Sequence, residues 1–149
     1  MSGWGAYVET QLVATGAVSE AGIFGKEDAA LYANAGDFQL RQYSAEITQE
    51  DGSTKTEPVN EVANLLSYVK SGQTPPQGMR LNGTKFQMLR TLEGPTLYLK
   101  KNKGGACLAI TNTLVIVGVY DDEKNSASSL AACNTAVENL ADYLRQSGY

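Results

Sequence analysis

Residues 85–120, KFQMLRTLEGPTLYLKKNKGGACLAITNTLVIVGVY, decide the fold of this 149-residue chain. Four apolar runs in this stretch are separated by turns that contain glycine, proline or asparagine. The runs span residues 85–92, 96–100, 106–111 and 114–120. They predict four consecutive strands of an antiparallel sheet.

Helical and hairpin patterns surround these strands. Residues 4–12 and 126–146 each place apolar side chains on one stripe of a helix, and Asn60 is positioned to cap a second helix that ends near residue 71. Residues 21–33 predict a short hairpin, and the polar residues 38–59 predict an exposed one. Together they indicate one α+β domain, residues 1–149, around a central antiparallel β-sheet.

The composition excludes most enzyme mechanisms. The chain has no histidine, which removes the Ser-His-Asp triad, the Cys-His dyad and histidine metal sites. Glycine motifs for phosphate or dinucleotide binding are missing from the sequence. Cys107 and Cys133 lack CxxC spacing, and we expect two reduced, buried thiols. We therefore expect a protein that is not an enzyme and has no cofactor or metal.

Charge is distributed unevenly along the chain, whose formal net charge is −4. Residues 80–103 hold six bases and a single acid, so this segment carries +5 and the remainder −9. The acidic total argues against bulk nucleic-acid binding, whereas the basic segment indicates a partner.

No apolar run reaches the roughly 20 residues of a transmembrane helix, and residues 1–10 lack a signal pattern. We therefore expect a cytoplasmic protein.

Aromatic residues mark both ends of the chain. Trp4 and Tyr7 lie one turn apart in the first predicted helix, and Tyr143 and Tyr149 bracket the end of the last one. If the terminal helices pack side by side, these rings form a shallow groove that suits an extended polyproline ligand. The alternative is that Trp4 and Tyr7 anchor their helix to the core.

Three motifs in this sequence resemble those of the profilin family. Trp4-Gly-Ala-Tyr-Val8 is similar to the profilin start W-x-A-Y-[VI]. Leu81-Asn-Gly-Thr-Lys-Phe-Gln-Met-Leu-Arg90 is similar to L-x-G-x-K-[FY]-x-x-[LI]-R, and Leu140-Ala-Asp-Tyr-Leu144 with Gly148-Tyr149 is similar to the family's ending. The resemblance implies terminal helices packed together on one face of the sheet and a shorter helix on the other.

The resemblance implies two binding surfaces, one for proline-rich ligands such as formins and one for monomeric actin. By position, the polyproline-binding residues are Trp4, Tyr7, Tyr32, Tyr143 and Tyr149. Tyr32 stands where the family usually has tryptophan, and Tyr143 stands where animal members carry histidine.

The actin surface implied by the resemblance lies on the later strands and the start of the last helix. Its residues are Lys85, Arg90, Lys100, Lys101 and Asn134. A basic patch suits acidic actin because complementary charge steers encounter and fixes orientation. For each lysine considered alone, the alternative is that its side chain lies on a solvated strand face and contacts no partner.

The implied function is a cytoskeletal adaptor that regulates actin polymerisation and delivers actin monomers to assembly factors. Residues 41–58 form a longer segment than most profilins have there, and this segment is either decoration or a change to the actin footprint. Phosphoinositide binding, which the family also suggests, is weakened by the acidic Glu50-Asp51 tip. The alternatives are a longin- or roadblock-like trafficking scaffold and a PAS-like small-ligand sensor, since fold alone does not fix function.

Overall fold

The structure is a computed structural model that describes residues 4–12, 18–36, 38–71, 79–91, 96–101, 104–121 and 130–149. Its helices are α1 (Trp4–Tyr7), continued by a π-helical turn (Val8–Leu12), α2 (Glu61–Ser71) and α3 (Leu130–Gln146). Its strands are β1 (Glu20–Gly25), β2 (Leu31–Ala35), β3 (Gln42–Thr48), β4 (Thr54–Asn60), β5 (Met79–Leu81), β6 (Thr84–Thr91), β7 (Thr96–Lys101), β8 (Gly104–Ile110) and β9 (Leu114–Asp121).

Seven strands form one antiparallel sheet in the order β2-β1-β9-β8-β7-β6-β5. Strands β6 to β9 pair in chain order, which confirms the meander predicted from residues 85–120. The hairpin β1–β2 adds to the sheet through β9, and the short β5 adds at the other edge. The hairpin β3–β4 forms a second, two-stranded sheet.

The central strands are apolar on both faces because each face supports its own core. On one face, Cys107 and Ile116 pack with the buried residues of α3 and of the π-helical turn. On the other, Leu108 and Val117 pack with Leu65 of α2. We call these the terminal-helix face and the α2 face. The predicted placement of the terminal helices on one face and the shorter helix on the other is confirmed.

A glycine allows α3 to lie close to the sheet. A Cβ atom at Gly118 of β9 would stand 2.6 Å from Cγ2 of Val137 on α3, closer than packed carbon atoms approach.

The two cysteines, Cys107 and Cys133, are both buried and free. The thiol of Cys133 donates to the Gly118 carbonyl at 3.4 Å. Burial raises the pKa of Cys133 to about 12, so this thiol is unreactive, as expected from the sequence.

The hairpin β3–β4 is tied to the main sheet through Glu61, the first residue of α2. Glu61 is fully buried, and its carboxylate accepts hydrogen bonds from the Arg41 N–H at 2.9 Å and the Tyr43 hydroxyl at 2.7 Å. It also accepts the N–H of Gly83 at 2.8 Å. Arg41 donates from Nε to Asn82 Oδ1 at 2.7 Å. Since Asn82 and Gly83 form the tight turn between β5 and β6, these bonds fix the base of the hairpin beside that turn.

The elements differ from the sequence prediction mainly at their ends. The prediction misses β5, because a strand of three residues is too short to show alternation. The predicted cap of α2 is confirmed, since Asn60 Oδ1 accepts the N–H of Ala63 at 3.0 Å. The predicted first turn of the last helix, residues 126–129, lies outside the described residues.

Candidate functional site

A pair of tyrosines joins the two terminal helices. The rings of Tyr7 in α1 and Tyr143 in α3 lie 5.9 Å apart between centroids, with an interplanar angle of 49°. Tyr143 is 52% exposed, whereas Leu140 and Leu144 on the same helix are buried. Trp4 begins α1 one turn before Tyr7, and its side chain is outside the described part of the structure. Tyr7 is half-buried and packs against the core of the terminal-helix face, whereas Tyr143 is exposed, so the pair places aromatic surface where the two helices meet.

The end of α3 is held so that Tyr149 lies near this pair. Gly148 has a positive φ of 96°, and the Tyr149 N–H donates to the Leu144 carbonyl at 2.9 Å, as in a Schellman motif. The Tyr149 backbone oxygen then accepts the N–H groups of Asn112 and Thr113 in the β8–β9 turn. Tyr149 is 42% exposed. Its backbone is therefore fixed while its side chain stays open to a ligand.

A β-bulge directs Tyr32 toward the same end of the sheet. Ile23 pairs with Ala33 and Phe24 pairs with Leu31, so Tyr32 is the extra residue of β2. A Cβ atom at Gly25 would stand 2.9 Å from the Tyr32 hydroxyl. Since Gly25 lies on the same side of β1 as Ile23, the Tyr32 ring lies over β1 on the terminal-helix face.

The tyrosine cluster, meaning Tyr7, Tyr32, Tyr143 and Tyr149, gathers at one end of the molecule. The Lys26 N–H donates to the Thr113 carbonyl at 2.9 Å, which joins the turn preceding Tyr32 to the turn that holds Tyr149. The sequence could name these rings, but it could not show the bulge or the backbone bonds that bring them together.

The protonation of this cluster should not change with pH near neutrality, and neither should the affinity for a proline peptide tested there. The pKa of Tyr7 is raised above the ordinary 10.0, first by its hydrogen bond with Tyr143 and then by electrostatic interaction with Tyr143, burial and Tyr149. A raised pKa keeps the phenol protonated to higher pH, and the chain has no histidine. We expect the Kd for a proline peptide to change less than about two-fold from about pH 6 to 9. A tenfold change in that range, measured by titration calorimetry, would contradict the expectation.

Two of the predicted actin-binding lysines lie on the terminal-helix face beyond α3. On β6, Phe86 belongs to the core of the α2 face, so the adjacent Lys85 projects to the opposite side. On β7, Leu99 belongs to that core as well, so Lys100 shares the side of Lys85. Both lysines are exposed. Arg90 pairs through its backbone with Tyr98 of β7, and its side chain is outside the described part.

Asn134 lies along the edge of α3 that faces β7. One turn later, Glu138 Oε1 accepts the hydroxyl of Tyr98 at 2.7 Å, which ties this edge of the helix to β7 next to Lys100. The Oδ1 atom of Asn134 is buried without a hydrogen-bond partner among the described residues. We define the basic surface as Lys85, Lys100 and Asn134. Sequence reasoning missed Glu138, because nothing in the helical pattern indicates a bond to a strand.

Lys101 lies apart from the basic surface. It follows Lys100 on a regular strand, so its side chain lies on the α2 face, where Nζ is 3.3 Å from Oδ2 of Asp121. The family resemblance implies that both lysines belong to the actin surface, but the strand places their side chains on opposite sides of the sheet.

The tyrosine cluster and the basic surface lie on the same face, on either side of α3. In the sheet, β1 and β7 are separated by β9 and β8, which corresponds to about 14 Å at the usual strand spacing. Helix α3 packs over β8 and β9 between them. The two groups of residues are therefore separate and share no member.

Within the described ranges, we find no group of three or more His, Cys, Asp or Glu side chains arranged as metal ligands. Nor does any helix in those ranges have the length and apolar character needed to cross a membrane.

A family model described as profilin matches residues 2–149. This chain belongs to the profilin family. The profilin of Tetrahymena pyriformis is 34% identical over 159 aligned positions that cover all of both chains. Profilin IA of Acanthamoeba castellanii has a similar structure, with a TM-score of 0.73 and 26% identity over 98% of this chain and 99% of that one.

Mouse profilin IIa, solved in complex with a double repeat from the FH1 domain of mDia1, shares the fold at a TM-score of 0.65 and 17% identity. The match covers 99% of this chain and 100% of that one. Profilins bind actin and polyproline and are not enzymes. Membership in the profilin family therefore rules against the trafficking-scaffold and sensor alternatives.

Proposed function

We propose that this chain binds monomeric actin at the basic surface and proline-rich segments at the tyrosine cluster, and so delivers actin monomers to assembly factors. The observation that carries the proposal is the ring contact between the half-buried Tyr7 and the exposed Tyr143, which joins the two terminal helices at one end of the molecule.

The tyrosine cluster has the chemistry that a polyproline helix requires. A proline segment is already extended, so it loses little conformational entropy on binding, and its ring faces pack on aromatic side chains. Its carbonyl groups have no internal hydrogen bonds and can accept phenol hydroxyls. Tyr143, Tyr149 and Tyr32 are each more than 40% exposed and supply both ring surface and hydroxyl donors.

The basic surface supplies charge for an acidic partner. Lys85 and Lys100 are exposed on one face of adjacent strands. The hydrogen bond between Tyr98 and Glu138 fixes the adjoining edge of α3 against β7. Charge of this kind raises the association rate and fixes orientation more than it adds affinity. Monomeric actin fits this surface by family and by charge.

Simultaneous binding at the two surfaces would concentrate actin where proline-rich assembly factors are located. Mouse profilin IIa binds a formin FH1 repeat, and we extend that class of partner to this chain. The site of action would be the cytoplasmic actin cytoskeleton.

Phosphoinositide binding has weaker support, because Glu46 and Glu50 line the same cavity as Lys85 and would repel an anionic headgroup.

A paired titration tests the proposed function. The first arm follows the fluorescence of Trp4, the single tryptophan, during addition of a decaproline peptide. The second measures actin-monomer binding with and without saturating peptide. We expect a saturable fluorescence change and equal actin affinity in both conditions. An unchanged signal at about millimolar peptide would remove the proline site, and failure to bind actin would remove the second half of the proposal.

Neighbouring lysines give a matched test of the actin surface. Lys100→Gln should weaken actin binding by about five-fold at low salt, because an exposed charge facing an acidic partner is lost. Lys101→Gln makes the same change on the other side of the strand and should shift affinity less than about two-fold. Sedimentation or anisotropy binding at about 25 and 300 mM salt measures both. Equal effects of the two variants would mean that the basic surface is placed wrongly.

A further inference from the structure

An open cavity of about 500 Å³ lies between the hairpin β3–β4 and the strands β5 and β6. The charged residues that line it are of both signs. Glu46, Glu50 and Glu57 come from the hairpin, and Arg80 and Lys85 come from β5 and β6. The hairpin therefore brings three carboxylates beside a segment that is strongly basic in the sequence.

This arrangement is fixed by the base of the hairpin. Glu61 binds Arg41 and Tyr43 of the hairpin segment and Gly83 of the β5–β6 turn through its buried carboxylate. The Arg80 guanidinium lies near the Tyr43 hydroxyl and opposes the rise in the pKa of Tyr43 that burial and Glu61 cause. These bonds hold the base of the hairpin beside the β5–β6 turn, and Glu46 and Glu50 further along the hairpin line the same cavity as Lys85.

Lys85 belongs to both the cavity and the basic surface. It pairs through its backbone with Arg80, and both residues point to the terminal-helix face, because Phe86 and Leu81 occupy the α2 face. Lys100 lies on that same side of the next strand. The hairpin carboxylates therefore stand at the end of the surface where Lys85 would meet a partner.

We propose that the hairpin β3–β4 tunes this surface electrostatically, with Glu46 and Glu50 offsetting the charge of Lys85 and lowering the affinity for an acidic partner. This inference rests on the proposed actin function. It gives the long segment 41–58, which the sequence left as either decoration or an altered footprint, a specific role in setting the strength and salt dependence of binding.

The general distance dependence of charge interactions sets the scale of the effect. A distance of roughly 8 Å is one Debye length at physiological salt. At that separation, one unit charge in water changes an equilibrium by about two-fold, and more at low salt. Glu46 and Glu50 are exposed, so neutralising them should cost little stability.

The test compares two double variants with the same net charge change. Glu46→Gln with Glu50→Gln removes two carboxylates from the cavity. Glu9→Gln with Glu27→Gln removes two exposed carboxylates from α1's π-helical continuation and from the β1–β2 turn, at the other edge of the sheet. Actin-monomer affinity is measured at about 25 and 300 mM salt. Thermal unfolding of each variant verifies that the fold is kept.

The cavity variant should bind actin about three-fold more tightly than wild type at low salt, and the gain should nearly vanish at high salt. The control pair should change affinity by less than about 1.5-fold. In a Lys85→Gln background the gain should shrink, because the ammonium group that the carboxylates offset is gone.

Three results would overturn the inference while leaving the proposed function intact. These are equal effects of the cavity and control variants, weaker binding by the cavity variant, and an undiminished gain in the Lys85→Gln background. A wild-type chain that does not bind actin would instead overturn the proposed function, and this inference with it.

Discussion

Tyr143→Ala is expected to weaken binding of a decaproline peptide by about 10- to 50-fold, the size of effect seen when a central aromatic residue of an interface is truncated. The substitution removes a ring that is 52% exposed and leaves Tyr7 without its partner across the two helices. Since the ring is not buried in the core, the free energy of unfolding should change by less than about 1 kcal/mol. Peptide titration followed by Trp4 fluorescence and by calorimetry measures the loss.

Two controls separate a binding role from a structural one. Tyr143→Phe keeps the ring and removes only the hydroxyl, so it should weaken the peptide by no more than about five-fold. Actin affinity of Tyr143→Ala should remain that of wild type, because the basic surface lies on the other side of α3. Parallel loss of peptide and actin binding would show that Tyr143 supports the fold and not the groove.

Glu61→Ala is expected to lower the free energy of unfolding by about 3 kcal/mol, because it leaves buried donors without an acceptor. The affected groups are the Arg41 N–H, the Tyr43 hydroxyl and the Gly83 N–H. For a chain of this length the loss corresponds to roughly 10 °C in Tm. Urea denaturation gives the free energy, and hydrogen exchange should show that protection is lost first in β3–β4.

Glu46→Gln is the matched control for Glu61→Ala on stability. It also removes a carboxylate near the hairpin, but Glu46 is exposed, and we expect a change below about 0.5 kcal/mol. Glu61→Gln should fall between the two, since an amide keeps one oxygen acceptor and turns a nitrogen toward a donor. Similar stability for all three would show that the buried network does not hold the hairpin.

Local patterns were sufficient to predict the helices and the central strands. The spacing of apolar residues on α3 and the alternating or continuous apolar runs of β6 to β9 follow directly from which faces are buried. The cap at Asn60 could also be predicted, because its acceptor lies three residues from the donor it binds. Features of this kind depend on neighbours along the chain.

Contacts between distant segments could not be predicted in this way. The pairing of β1 with β9 joins residues nearly one hundred positions apart, and no periodicity in either strand specifies its partner. The helical pattern does not predict the role of the buried Glu61, because its three donors come from two other elements. The position of the hairpin beside Lys85 depends on that same network.

The sequence by itself determined the fold class and the family, and it predicted the residues of both candidate surfaces. Only the tertiary structure decided how those residues are grouped. Adjacent lysines point to opposite faces because a strand alternates its side chains, so Lys100 joins the basic surface and Lys101 pairs with Asp121. Tyr7 and Tyr143 meet because two helices from opposite ends of the chain bury their apolar stripes against one face of the sheet.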